Sequence, residues 1–526
     1  MKNTDRNDEK VFRLAKPVKR GLLHLVFSRF LLILALLVLQ VLLMVAFFRW
    51  LEDYLSYLTA LQTLFTLGMI VYLFNSGMDS SAKLTWMLII AALPLPGAAL
   101  LFFTQMNIGH RVVKRRVAEI IADTAHILEQ PPGLMLALTA DESGTDDLVT
   151  YLNRSGCFPI FDGTDARYFP TGESCFQAML EELEKAEKFI FLEFFIIEEG
   201  YMWGRVLEIL TRKAAQGVDV RVMYDGMCEL SHLPHRYTKL LEDQGIKAKI
   251  FTPILPVVTS QYNYRDHRKI LVVDGKTAFT GGVNLADEYI NRRKRFGRWK
   301  DTAVMLQGKA VKGFTLAFLQ MWNMDEPAAE YQPWLSESAE VKGARGYVLP
   351  YTDNPMDNDR VGETVYMDIL YRANDYVHIM TPYLILDDEL ESALIYAAQR
   401  GVDVKIILPG IPDKKVAYSL AKSHYARLTA AGVKLYEYTP GFLHAKVFVS
   451  DDKKAVVGTI NLDYRSLYHH FECAAYMYLT DCIPWIEADF QQTLLECRAV
   501  TAETIASEKA IYRIVGGLAK FIAPLM

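Results

Sequence analysis

The chain opens with long apolar runs and then changes rhythm. Phe30 to Phe48 reads FLLILALLVLQVLLMVAFF, with Gln40 its one strongly polar residue. At 1.5 Å per residue such a run spans a hydrocarbon core. Arg49, Trp50 and Leu51 follow it in place of a small-residue cleavage site, which argues against a removed signal peptide. A second apolar stretch runs from Tyr54 to Phe74. A third runs from Leu84 to Phe103 and is broken by Pro94, Pro96 and Gly97. This pattern predicts a basic tail over 1–29, an α-helical membrane region over 30–105 with two to three apolar segments, and a linker over 106–157. Lys and Arg crowd both flanks, and only Arg49 and Lys83 lie between the segments. The positive-inside rule then wants both ends in the cytoplasm. Two full spans satisfy it, with the Pro-interrupted third segment re-entrant or interfacial.

From about residue 150 short β-type runs alternate with helical ones. FIFLEFFII (Phe189–Ile197) reads as a buried strand, Tyr201–Gln216 has helical spacing, and VDVRVMY (Val218–Tyr224) is again a strand, which predicts an α/β fold. The pattern then recurs. GVDVRVMYDG (Gly217–Gly226) returns as GVDVKIILPG (Gly401–Gly410), and DHRKILVVDGKTAFTGGVNL (Asp266–Leu285) as LHAKVFVSDDKKAVVGTINL (Leu443–Leu462). WKDTAVML (Trp299–Leu306) aligns with FECAAYMY (Phe471–Tyr478). Three ordered matches at nearly constant displacement predict two duplicated halves, 158–335 and 336–526, packed about a pseudo-twofold axis.

Each half carries H-x-K-x4-D-x6-G-[GT]-x-N: His267, Lys269, Asp274, Gly282 and Asn284, then His444, Lys446, Asp451, Thr459 and Asn461. On a strand, residues i and i+2 share a face, so each His projects with its Lys. Asp274-Gly275 and Asp451-Asp452 suit hairpin turns, the two aspartates stand with each His and Lys as catalytic candidates, and the returning strand delivers Asn as an amide donor. Two imidazoles, two ammoniums and two amides on converging patches suit a phosphodiester. The cations and amides stabilise its oxygens in the transition state, one neutral His attacks phosphorus, and the other, protonated, donates to the leaving alkoxide. Asp301 and Glu472 are the candidate carboxylates that orient the two rings. The spacing leaves open which serves which.

Composition narrows the partners. Of 526 residues 51% are hydrophobic and 23% charged, a globular balance. A net charge of −5 supplies no basic field for nucleic acid. The six cysteines form no C-x-x-C pair, which suggests neither a zinc site nor a disulfide framework. His232 and His235 have no further ligands nearby. The run NRRKRFGR (Asn291–Arg298) is either a contact for anionic headgroups or a solvated face.

The duplicated H-x-K-x4-D, from about Phe158 to the C-terminus, resembles the signature of the phospholipase D superfamily. More narrowly, YRDHRKILVVDGKTAFTGGVNLADEY, RWKDTAVML and FLHAKVFVSDDKKAVVGTINLDYRSLYHHFE, with WMLIIAALPLPG in the apolar region, resemble the bacterial cardiolipin synthases. That resemblance implies an integral enzyme of the bacterial membrane. It would join two phosphatidylglycerols into cardiolipin and glycerol through a phosphohistidine on His267, with His444 as acid and base and with neither metal nor nucleotide cofactor. A phospholipase D hydrolase or another transphosphatidylase fits the same motifs. Asp266 and His470 depart from the family pattern, which has Asn at both places.

Overall fold

Two mixed sheets between residues 164 and 499 share one strand order. The computed structural model describes residues 55–105, 108–251, 264–326, 329–335, 338, 340–357 and 359–525, with Phe12, Leu14, Val38 and Leu42. The basic tail, the first apolar segment and the loop 252–263 therefore lie outside the described residues, those isolated positions apart.

The strands of the first sheet are β1 (Thr164–Phe169), β2 (Phe189–Phe194), β3 (Asp219–Asp225), β4 (Lys247–Phe251), β6 (Lys269–Val273), β7 (Thr277–Gly281) and β9 (Ala303–Gly308). They lie in the order β1-β9-β7-β6-β2-β3-β4. The second sheet uses β10 (Tyr347–Asp353), β11 (Tyr376–Met380), β12 (Asp403–Pro409), β13 (Lys434–Tyr438), β15 (Val447–Ser450), β16 (Lys454–Gly458) and β17 (His470–Tyr478). Its order, β10-β17-β16-β15-β11-β12-β13, matches one for one, with β18 (Cys497–Ala499) added at the edge. Directions match too: β2, β3 and β4 pair parallel, as do β11, β12 and β13, and the remaining pairs are antiparallel. The parallel pairs are those joined by helical crossovers, as chain connectivity requires.

Three short strands complete the set. β5 (Arg265–Asp266) pairs parallel with the start of β17, and β8 (Arg298–Lys300) pairs parallel with β14 (Gly441–Leu443). Each precedes a motif histidine or a candidate carboxylate, and each pair joins one half of the chain to the other.

The chain divides into two units. Among the described residues one comprises 113–251 and 264–517, the other 55–105, 108–112 and 518–525. In the first, Phe191, Ile270 and Val272 from one sheet and Val447, Val449 and Val457 from the other share a single apolar core. Outer helices, among them Tyr201–Ala215 and Asp388–Gln399, cover the opposite faces. Strands buried on both sides read as continuous apolar runs, which is why FIFLEF and VFVS carry no alternation. The stretch expected as a linker carries the helices Ile108–Thr124, Pro132–Ala140 and Thr145–Gly156. Val117 and Leu128 enter the shared core, and Leu148 and Leu152 pack beneath the second sheet.

The second unit holds α1 (Leu55–Phe74), α2 (Ser80–Ala92) and α3 (Pro94–Gln105), with Leu73, Trp86, Ile90 and Leu101 as its core. The Asp79 carboxylate accepts from the N–H groups of Ser81 and Ala82 and caps α2. The expected third apolar segment is split at Leu93-Pro94 into helices of 13 and 12 residues, each about 20 Å long and shorter than a hydrocarbon core. The second segment carries Ser56, Thr59, Gln62, Thr63 and Thr66. Among the described residues no helix is long and apolar enough to cross a membrane, so the expected multi-pass region finds no spanning helix there.

Candidate active site

The hairpins place the chemistry. In β6–β7, Val273 pairs with Thr277 across a turn in which Asp274 and Gly275 adopt positive φ. In β15–β16, Ser450 pairs with Lys454 and both Asp451 and Asp452 adopt positive φ. Each His stands immediately before its hairpin, at the seam between the halves. The His267 N–H donates to the carbonyl of Phe471 (2.9 Å) and the His444 N–H to that of Lys300 (2.7 Å).

Those two backbone bonds fix how the carboxylates are shared. The Nδ1–H of His267 donates to Glu472 at 2.9 Å, and that of His444 donates to Asp301 at 2.7 Å. Each ring is thus oriented by the half that does not supply it. The β5–β17 and β8–β14 pairings cause the crossing, because each brings the strand before a histidine alongside the strand that carries, or leads directly into, the other half's carboxylate. They also correct the aligned register. Gly281 pairs with Ala303 and Gly458 with Ala474, so Trp299, Lys300 and Asp301 correspond to His470, Phe471 and Glu472, one residue away from the sequence match. β17 is buried at every position and offers no alternation to fix the slip.

Close approach is built in at Gly282, where a Cβ would lie 2.0 Å from Asp301 Oδ1 and 3.0 Å from the His444 carbonyl. At the corresponding position the Thr459 hydroxyl donates to Glu472. Lys269 Nζ donates to the His267 carbonyl at 2.6 Å. Lys446 Nζ lies 2.9 Å from His444 Nδ1 and donates to the His444 carbonyl. Aromatic rings wall both imidazoles. Phe195 meets His267 edge-on at 4.9 Å between centroids, and Tyr289 and Trp299 lie 5.5 and 5.4 Å from His444.

Burial sets the protonation states. It drives His267 well below the ordinary imidazole range, helped by Lys269. It drives His444 down to about 4, helped by Lys446, so the ring expected to be protonated is neutral at pH 7 in the free site. Burial also lowers Lys269 to about 8 and Lys446 to about 7. It opposes the charge on Glu472, but the His267 and His470 imidazoles outweigh it and keep the carboxylate ionised. The Lys269 charge acts on His444 and Lys446, and Asp301 and Glu472 each act on both lysines. The two motifs therefore share one electrostatic environment.

Two expected members stand apart. β6 is five residues long, which puts Asp274 about 16 Å from Lys269 along the strand. The Asp274 carboxylate accepts from the N–H groups of Glu187, Lys188 and Phe189, each at 2.8 Å. Asp451 accepts from Asn374, Asp375 and Tyr376 at 2.8–3.0 Å. Both aspartates tie down the start of a neighbouring strand and are removed from the catalytic set on that ground. Asp274→Ala strips three donors of their acceptor and is expected to lower folding stability by about 2–4 kcal/mol. Turnover per folded molecule stays within about twofold. Paired urea melts and activity on the same preparations check this.

The asparagines differ as well. Asn284 Oδ1 accepts from the Ile196 N–H and its Nδ2 donates to the Tyr289 hydroxyl, whereas Asn461 Oδ1 has no hydrogen-bond partner. Asp266 accepts from Arg268 Nε at 3.1 Å and so braces the chain beside His267. Of the basic run, Arg293 pairs with Glu198 and Glu288, Arg295 with Glu288, and Arg298 with Glu496, which favours the solvated-face reading for these three. His232 and His235 pair with Glu198 and Glu229. His470 was not among the expected site residues. It lies two positions before Glu472 and so shares its strand face, and that spacing was the signal available in the sequence.

A family model described as cardiolipin synthase, PLD-like domain, matches residues 179–322 and 366–494, one stretch in each sheet. The chain is 31% identical over 482 residues to the cardiolipin synthase of Alkalihalophilus pseudofirmus (strain ATCC BAA-2126 / JCM 17055 / OF4), covering 91% of this chain and 95% of that protein. It is 55% identical to an uncharacterized protein of Streptococcus mutans serotype c (strain ATCC 700610 / UA159), covering 88% of this chain and all of that one. In fold it is similar to the crystal structure of phosphatidylserine synthase from Haemophilus influenzae Rd KW20. The TM-score is 0.55 at 14% identity, over 72% of this chain and 97% of that one.

Proposed function

The chain belongs to the PLD-like cardiolipin synthase family of phospholipid phosphatidyltransferases, and from that membership we propose that it transfers a phosphatidyl group from one phosphatidylglycerol to another, giving cardiolipin and glycerol. The observation that carries the reading is the crossed pair of imidazole–carboxylate contacts, His267 on Glu472 and His444 on Asp301. Each contact fixes a tautomer and leaves Nε2 of that ring to act. Nε2 of His267 attacks phosphorus, a P–N bond forms, and the bond to the first glycerol breaks. His444 gives that alkoxide its proton. The second phosphatidylglycerol then presents a hydroxyl, His444 takes its proton, and the oxygen displaces His267 as the P–N bond breaks. Lys269 and Lys446 hold the phosphoryl oxygens as negative charge builds, and the Asn461 amide, whose carbonyl has no hydrogen-bond partner, is available to the incoming head group.

His444 is neutral in the free site, so the proton it donates is taken up from solvent as the substrate binds. A bound phosphodiester anion favours the charged form of each nearby base. The sign of the pH dependence follows. A lysine is charged below its pKa and His444 must gain a proton before it can donate one, so kcat/KM, which reports the free enzyme, is expected to fall as pH rises above about 4. It falls more steeply as Lys446 and then Lys269 deprotonate, near 7 and 8. The alkaline limb of kcat lies higher, because bound substrate keeps both lysines charged. A kcat/KM flat from pH 6 to 9 would take the lysines out of this account.

The common strand order of the two sheets supports duplicated halves, 158–335 and 336–526, about a pseudo-twofold axis. Work at a bacterial membrane is supported by the lipid substrate and by α1, which turns Leu61, Leu64, Val71 and Phe74 outward. The Lys and Arg flanks favour a catalytic unit on the cytoplasmic side. The deciding experiment gives the purified full chain phosphatidylglycerol vesicles with a chelator and no nucleotide. Cardiolipin and glycerol in equal amounts support the reading. Phosphatidic acid alone makes the enzyme a phospholipase D hydrolase.

A further inference from the structure

His470 is the least explained polar group of the site. Its side chain is 8% exposed; Nδ1 has only the Glu472 carboxylate at 3.5 Å, and neither ring nitrogen makes a hydrogen bond of good geometry. A buried polar group so weakly matched is unfavourable and calls for an explanation, a ligand among them. The corresponding position in the first half holds Trp299, which packs on His444 as His470 packs on His267, at centroid distances of 5.4 and 5.3 Å. An indole cannot bind a metal ion and an imidazole can. The pseudo-symmetric frame thus carries a ligating side chain beside only one of its two histidines.

We propose that His470, Glu472 and His267 form a binding site for a divalent transition-metal ion of the zinc class, and that its occupation shuts the enzyme off. Among the described residues these three are the group whose donor atoms can hold a metal, all within 4.8 Å of one another and all buried. Two imidazoles and a carboxylate with a fourth position open is a donor set that suits zinc, nickel or copper better than magnesium or calcium. A tetrahedral ion with bonds of about 2.0–2.2 Å sets its donors about 3.4 Å apart. His470 Nδ1 stands 3.5 Å from Glu472 Oε1, which meets that spacing as it is. His267 Nδ1 stands 2.9 Å from Glu472, so its hydrogen bond must open by about half an ångström. The Lys269 ammonium on the same side opposes the cation and limits the affinity.

Inhibition follows from imidazole chemistry and rests on the proposed role of His267 as nucleophile. A metal on Nδ1 displaces that nitrogen's proton to Nε2, where it occupies the lone pair that attacks phosphorus. A metal on Nε2 occupies the same lone pair directly. Either way the ring is held but cannot react, and Glu472 is drawn from orienting it.

The test uses the metal alone and then turnover, on the full chain and on His470→Ala and His470→Asn. Cobalt(II) added to the metal-free protein is expected to give the visible absorption of a four-coordinate ion at one equivalent, bleached by zinc. Both variants lose that absorption or bind at least about tenfold more weakly. Zinc is expected to halt cardiolipin formation reversibly, with chelator restoring it. In the variants, each referred to its own metal-free rate, half-inhibition needs at least about tenfold more zinc. The inference is overturned by absence of the cobalt bands, by bands that survive loss of His470, or by turnover that persists with zinc bound through His470. The cobalt readout does not require activity. Bands that depend on His470 in a chain that makes no cardiolipin would leave the metal site standing and sink the proposed function, and cardiolipin synthesis without cobalt binding would do the reverse.

Discussion

His267→Ala is expected to reduce cardiolipin formation by at least about 10⁴-fold, and His444→Ala by about 10²–10⁴-fold. The two losses have different origins. Without His267 no P–N bond forms and the two-step path is closed. Without His444 the path remains, but the glycerol oxygen must leave as an alkoxide and the incoming hydroxyl must attack with its proton on. Both rings are buried among aromatic side chains, so alanine opens a cavity and folding must be checked. His267→Gln and His444→Gln keep most of the volume, and each still presents an amide N–H to its carboxylate, which separates lost chemistry from lost packing. Labelled substrate quenched in alkali is expected to leave phosphate on His267 of the wild type and none on either His267 variant. Full turnover by any of the four variants would remove that ring from the reaction.

The hairpins and their H-x-K spacing could be read in the sequence because a strand's two-residue period and a turn's positive φ are local properties. Asp274-Gly275 and Asp451-Asp452 favour a turn through their own backbone preferences, whatever packs around them. The partnership of rings and carboxylates could not be read, since it depends on β5–β17 and β8–β14, pairings two and three residues long between segments far apart in the chain. The register of β17 was missed by one for a related reason. Its nine positions are all buried, and an apolar run without alternation matches its counterpart almost equally well at adjacent offsets. Their place in the motif groups the two aspartates with the catalytic residues. Each carboxylate is instead taken up by three backbone donors from a segment remote in the chain, which no local pattern announces. The resting charge of His444 was likewise hidden, because burial sets it and burial is a property of the fold.

Glu472→Gln and Asp301→Asn are each expected to lower kcat by about 10²–10⁴-fold, and the manner of the loss tests the crossing. A carboxylamide presents an oxygen acceptor as well, so the ring can still be held, but the negative charge that stabilises a developing imidazolium is gone. By the observed contacts Glu472 serves the ring that attacks phosphorus, and Asp301 serves the ring that moves protons. A phosphodiester with a nitrophenolate leaving group separates the two, because that group departs without a proton. On it the first-turnover burst is expected to survive Asp301→Asn nearly intact and to be lost in Glu472→Gln. Had each half supplied its own carboxylate, Asp301→Asn would abolish the burst and Glu472→Gln would spare it. The same pair of measurements bears on the seam itself. A seam that orients each ring from the opposite half makes neither half active alone, so the two halves expressed separately are expected to regain turnover only when mixed. Activity in one half by itself would mean that its ring finds an orienting carboxylate within its own sheet, contrary to the geometry of β5 and β8.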